Sequence, residues 1–77
     1  MKEVLEFVAQ QLVDEPDEVE VEEIPGDRGV MLRLKVAPDD MGKVIGKGGR
    51  TARAIRTLMK TAAAREGLHA RVDIVEE

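Results

Sequence analysis

The stretch Gly46-Lys47-Gly48-Gly49 constrains this chain more than any other. Three glycines in four residues break a helix, because glycine loses the most backbone freedom on ordering and readily takes positive φ. The apolar-periodic stretch that leads into Val44-Ile45 must stop there, and a new helix must restart near Gly49 or Arg50. The corner between them is left as nearly bare backbone.

Charge is concentrated around that corner. From Lys43 to Arg65 the chain holds seven basic residues (Lys43, Lys47, Arg50, Arg53, Arg56, Lys60, Arg65) and no acidic one. Residues 1–27 hold ten acidic side chains and only Lys2 as a base. The net charge of -4 averages over these two regions and describes neither. Screening over about 8 Å at physiological salt lets a local basic face act almost independently of a distant acidic one. Exposed peptide N–H groups, a helix N-terminus and nearby cations are what a phosphate backbone needs.

Hydrophobic spacing supplies the rest of the architecture. Val4, Leu5, Val8, Ala9 and Leu12 recur at helical intervals over 2–13, and Asp14-Glu15-Pro16-Asp17 ends that helix. Val19, Val21 and Ile24 alternate with glutamates, and Leu32, Leu34 and Val36 alternate with Met31, Arg33 and Lys35. These are two strands joined by the hairpin-sized loop Pro25-Gly26-Asp27-Arg28-Gly29. Pro38-Asp39-Asp40 opens a short helix over about 39–45. The helix after the glycine turn runs to about Glu66, with Ile55, Leu58, Met59 and Ala62 on one side and Arg50, Arg53, Arg56 and Lys60 on the other. Gly67 caps it, and Val72, Ile74 and Val75 fall in a last strand, with Glu76-Glu77 fraying. The order is α-β-β-α-α-β: one α+β domain spanning 1–77, with a three-stranded mixed sheet covered by helices on one face.

Several function classes are excluded or disfavoured by what the chain lacks. Without cysteine there is no disulfide and no thiolate metal site. Phe7 is the only aromatic residue, which disfavours nucleic-acid binding by exposed ring stacking. The glycine spacing matches neither the Walker A nor the dinucleotide-binding pattern. His69, the only histidine, is expected in a surface loop without acid–base or metal partners. Met31, Met41 and Met59 are expected as gap-fillers in the core. The reading is a non-enzyme with no cofactor and no metal. The first residues lack a signal peptide's basic start and apolar block, so a cytoplasmic protein is expected.

Val44-Ile45-Gly46-Lys47-Gly48-Gly49-Arg50, set in this element order, resembles the Val-Ile-Gly-x-x-Gly core of the KH domain, in its bacterial type II arrangement. The resemblance covers nearly the whole chain and extends to small, free-standing bacterial members of the family. It implies a turn that clamps about four nucleotides of single-stranded RNA or DNA along their backbone, in an RNA-binding protein. On that basis Gly46 and Gly49 let phosphates approach, with Gly48 between them among the RNA-binding residues; Lys47 supplies a point charge, and Arg50 and Arg53 hold neighbouring phosphates. One of Val44 and Ile45 packs into the core and the other lines the groove. The last strand forms the far wall, making Arg71 a further candidate, and Arg56, Lys60 and Arg65 either extend the track or form a solvated helix face. Ala52 stands where the family usually has a larger aliphatic, which implies a shallower groove or compensation by Ile55. The resemblance also implies an RNA chaperone acting as a homodimer or with a larger RNA-binding partner. The rival reading is an interaction subunit whose main task is dimerisation, suggested by so small a core without staples.

Overall fold

The computed structural model describes residues 1–75; the expected fraying of Glu76 and Glu77 lies outside them. Helix α1 spans Lys2–Leu12 and buries Leu5 and Ala9, one helical turn apart. It stops at Val13, whose extended backbone (φ -97°, ψ 163°) turns the chain away. Pro16 then opens a single 3-10 turn, Pro16–Glu18, which delivers the chain to strand β1 (Glu20–Pro25). Val4 and Leu12, expected to be buried, are 43% and 37% exposed. The stripe that α1 buries is narrower than its apolar pattern.

Strand β2 (Gly29–Lys35) returns antiparallel to β1, with Val21 opposite Leu34, and the hairpin is closed by the Gly26 N–H donating to Gly29 O at 2.8 Å. Strand β3 (His69–Ile74) lies parallel to β2 on its other side, with Leu32 opposite Val72, so the sheet order is β1-β2-β3 and the sheet is mixed. The parallel pairing requires a crossover, and two helices provide it: α2 (Met41–Ile45) and α3 (Arg50–Ala64).

One sheet face carries Val21, Val30, Leu32, Leu34, Ala70 and Val72, which join Leu5, Val44, Ile55 and Met59 in one buried cluster beneath the helices. Leu5, Leu32, Leu34, Met59 and Val44 are fully buried, each contributing about 1.5–3 kcal/mol of transfer free energy. Met31 and Met41 are only half-buried, so Met59 alone of the three methionines is a true core residue. The other sheet face is uncovered and charged: Arg33 lies 3.8 Å from Glu22 and 3.9 Å from Asp73, and Lys35 lies 3.9 Å from Glu20.

Two expectations need correcting. The buried stripe of α3 is Ala52, Ile55, Met59 and Ala63, whereas Leu58 is 42% exposed and Ala62 half-buried. The helix is rotated toward β3 relative to its apolar centre of mass, because its neighbours and not its own pattern set the contact face. His69 is exposed as expected but starts β3 and does not sit in the loop, its N–H donating to Arg28 O at 3.2 Å. That loop begins with left-handed Gly67 (φ +73°), where Leu68 N–H donates to Ala63 O and Gly67 N–H to Ala64 O, both at 3.0 Å. This paired arrangement closes the C-terminus of α3 and aims the chain into β3.

Candidate nucleic-acid interface

The glycine turn is built by α2 stopping abruptly. Gly46 takes φ +76°, ψ 171°, and its N–H still closes the last turn of α2 onto Gly42 O at 2.9 Å. A 3-10 turn over Lys47–Gly49 follows, closed by Gly49 N–H to Gly46 O at 3.1 Å. Gly48 and Gly49 are both left-handed (φ +64° and +79°), and α3 starts at Arg50. The three glycines have different reasons. A Cβ on Gly46 would run into the Thr51 side chain and stand 2.8 Å from its backbone N, so close packing excludes any side chain there. At Gly48 and Gly49 a Cβ would meet nothing within 4 Å: these two face open space and are fixed only by their φ.

That open side is where the unused donors are. The N–H groups of Lys47 and Gly48 have no acceptor among the described residues, whereas that of Arg50 donates to Lys47 O, and the start of α3 adds the positive end of its dipole. Lys47, Arg50 and Arg53 are exposed around the turn and have no ion-pair partner among the described residues. The arrangement offers main-chain donors on a side-chain-poor corner with exposed cations around it.

Each candidate contact has a defined place. Gly46, Lys47, Gly48, Gly49 and Arg50 are contiguous on the corner, and Arg53 follows one turn along α3. Val44 is fully buried and therefore supports the turn from below, which removes it from direct contact with a ligand. Ile45 is half-buried and is the member of that pair left to line a surface. Ala52 and Ile55 are 4% and 3% exposed, both part of the inner face of α3, so neither deepens nor shallows an outer groove. Among the described residues no cluster of histidine and carboxylates could hold a metal ion, and no helix is long and apolar enough to cross a membrane.

Lys43 departs from the expected basic track. Its ammonium lies 3.1 Å from the Asp14 carboxylate and 3.7 Å from Asp40, and the hydrogen bond to Asp14 holds its pKa above the usual lysine value. Among the described residues the acidic segment thus meets the basic one in the Asp14–Lys43 pair, which engages one of the seven charges.

Asp40 is the residue the sequence concealed. It is 2% exposed, precedes α2, and accepts hydrogen bonds from Asp14 N–H (3.2 Å) and Glu15 N–H (3.0 Å). A buried carboxylate is tolerable only with such partners. It ties the segment after α1 to the root of α2 and so fixes the angle at which α2 presents the glycine turn. Locally Asp40 reads as one more acid at a helix start; its partners lie 26 and 25 residues away, and no local pattern points to them.

Comparison with known proteins gives a concordant result. A family model described as the KH domain of KhpA/KhpB matches residues 2–74. The chain is 56% identical to the RNA-binding protein KhpA of Clostridium acetobutylicum over 75 residues, covering 97% of this chain and all of the relative. It is 55% identical to the RNA-binding protein KhpA of Caldanaerobacter subterraneus over the same shares. The protein of the same name from Chlamydia trachomatis is 44% identical over the whole of this chain and 99% of its own length. No solved structure matches the chain.

Proposed function

Because the chain belongs to the KhpA/KhpB family of KH domains, we propose that it binds single-stranded RNA by clamping the phosphate backbone at the Gly46–Gly49 turn. The observation that carries this reading is the corner itself: amides at Lys47 and Gly48 and cations at Lys47, Arg50 and Arg53 that have no partner among the described residues, with open space beyond Gly48 and Gly49. Gly48 and Gly49 admit phosphates to the main chain, while Gly46 holds the bend. Lys47 neutralises one phosphate as a point charge, and the forked guanidinium of Arg50 or Arg53 spans oxygens of the next. Ile45 offers an aliphatic seat to a base. The curated relatives are named RNA-binding proteins, and on this reading the task is binding and remodelling of RNA.

The test is RNA affinity of the wild type against a double variant, Lys47→Asp with Gly48→Asp. Gly48 faces open space at a φ that aspartate tolerates better than most residues, so the fold survives, as circular dichroism would verify. Loss of binding with the fold intact supports the turn as the clamp, and undiminished binding rules it out.

A second reading, pairing with a second copy or with a KhpB-like protein, is favoured by one observation. Phe7 is 63% exposed and Val4 43% on α1, and Leu58 is 42% exposed on α3. A groove that clamps about four nucleotides binds weakly, and two joined grooves gain affinity by avidity. Sedimentation that finds a monomer at high concentration, alone and with such a partner, removes this reading.

A further inference from the structure

The uncovered sheet face is laid out in cross-strand rows. In the row of Glu20 and Lys35 and in the row of Glu22, Arg33 and Asp73, the cations have carboxylates at 3.8–3.9 Å. The row nearer the hairpin consists of Ile24, Met31 and Arg71. It contains no acid, and Arg71 has no ion-pair partner among the described residues. The two other members are apolar, Ile24 39% exposed and Met31 half-buried. They floor a dish of about 280 Å³, bordered by Gly26 and Gly29, which add no side chain, and rimmed by His69 and Arg71. No carboxylate lines it. The volume falls just short of small-molecule pockets, about 300–1,000 Å³, and suits one large side chain.

Charge complementarity selects the occupant. The row lacks an anion, so whatever fills the dish brings one to Arg71. A nucleic-acid strand carries a charge at every nucleotide, and the adjacent row, with two acids around Arg33, opposes its next phosphate. A second copy of the chain finds no acid in the dish to match its own Arg71, so two dishes cannot face each other across a two-fold axis. A segment of another protein meets neither obstacle. One carboxylate at Arg71, with an apolar neighbour over Ile24 and Met31, completes the row and leaves the ion pairs of the next row intact.

We infer that this dish docks a protein segment presenting a large apolar side chain with a carboxylate next to it. Ile24 and Met31 seat the apolar group as a single anchor, with the Met31 thioether adapting to its shape. The Arg71 guanidinium takes the carboxylate, through paired N–H donors. The docking surface stands whether or not the glycine turn holds RNA. The two lie at opposite ends of α3, whose fifteen residues span about 22 Å, because the helix starts at the turn and its far end feeds through Gly67 into His69 on the rim of the dish. The protein therefore has room for a protein partner at one end and a ligand at the turn together.

The test is NMR of the backbone amides of the full chain, titrated with the end-capped peptide Ser-Gly-Phe-Asp-Gly-Ser to about 5 mM, above the millimolar range of a single-anchor contact. Shifts should cluster at Ile24, Met31, His69 and Arg71. A peptide with Ala for Phe should bind about tenfold more weakly, the share of one large apolar side chain. One with Asn for Asp should lose about threefold, the share of an exposed ion pair, and Arg71→Gln should erase that difference. Met31→Ser and, at a side chain already exposed, Ile24→Ser should each weaken the Phe peptide, with the spectrum itself verifying the fold. No shifts at these amides, or an Asp-to-Asn difference that survives Arg71→Gln, overturns the inference. So does an oligouridylate that moves the same amides and weakens with Arg71→Gln, which gives the dish to nucleic acid, or their movement on dilution of the free protein, which gives it to a second copy. The Lys47→Asp, Gly48→Asp variant should bind the peptide like the wild type, so the dish and the turn stand or fall separately.

Discussion

The Lys43 ammonium lies 3.1 Å from the Asp14 carboxylate, which joins the helix before the glycine turn to the acidic segment after α1. Lys43 is thereby committed within the protein, whereas Lys47, four residues on, has no such partner among the described residues. Lys47→Ala should weaken RNA binding and lower the salt slope by about 0.7, the share of one phosphate on a single strand. Lys43→Ala should leave both nearly unchanged. Titrations at three salt concentrations separate the two, and a Lys43 effect as large as that of Lys47 would show that the pair opens on binding.

The same pair has a pH signature. The folded-state pKa of Lys43 is raised above the ordinary value of 10.5 by the hydrogen bond to Asp14. Its contribution to stability is therefore fully present below that value and is lost as pH climbs through the raised one. Urea unfolding of wild type and Lys43→Ala should show a constant difference from neutral to mildly alkaline pH, converging only at the alkaline extreme. A difference that disappears near neutrality would assign the effect to another group.

Asp40 is expected to be among the most sensitive positions for stability. Asp40→Ala strands the N–H groups of Asp14 and Glu15 and releases Lys43, a loss of about 2–4 kcal/mol. Asp40→Asn keeps one acceptor and should lose roughly half as much. Chemical denaturation measures both. RNA affinity of the folded fraction should also fall, since Asp40 sets the angle of α2.

Within the turn, substitutions at the glycines should separate by mechanism. Gly46→Ala meets both a positive φ and the Thr51 backbone, so a loss of 2 kcal/mol or more is expected, on the order of a tight-site strain. Gly48→Ala meets only the φ penalty, about 1 kcal/mol. Equal losses at the two sites would mean that the turn relaxes to admit the Gly46 methyl.

Phe7→Ser probes pairing apart from folding. A side chain 63% exposed should alter monomer stability by no more than about 0.5 kcal/mol. A larger loss that grows with protein concentration would show Phe7 to be covered in an assembly.

The element order and the glycine corner were legible in the sequence because both rest on local chemistry: alternation of two in the strands, helical spacing, and helix-breaking glycines. What was not legible depended on neighbours. Ile24 reads with Val19 and Val21 as one apolar set, yet its odd spacing from Val21 puts it on the uncovered face with Met31 and Arg71, where it is 39% exposed. Ala63 replaced Ala62 in the core, a rotation that the sheet imposes on α3 and that no helical wheel contains. Val44 and Ile45 are equivalent as letters; only the packing buries the first and leaves the second half-open. Asp40 and its two amides are joined across the chain, beyond the reach of any window.

The order β1-β2-β3 also gives the molecule a front and a back. Glu20, Glu22 and Glu23 line the β1 edge, while Arg71 lies on the β3 edge with Lys60 and Arg56 beside it. Two strand spacings, about 10 Å, part the opposed edges, close to a screening length. A polyanion therefore meets more repulsion along the β1 edge than along the β3 edge. The sheet thus carries an edge-to-edge polarity of charge, a built-in handle by which a field can turn the molecule before contact.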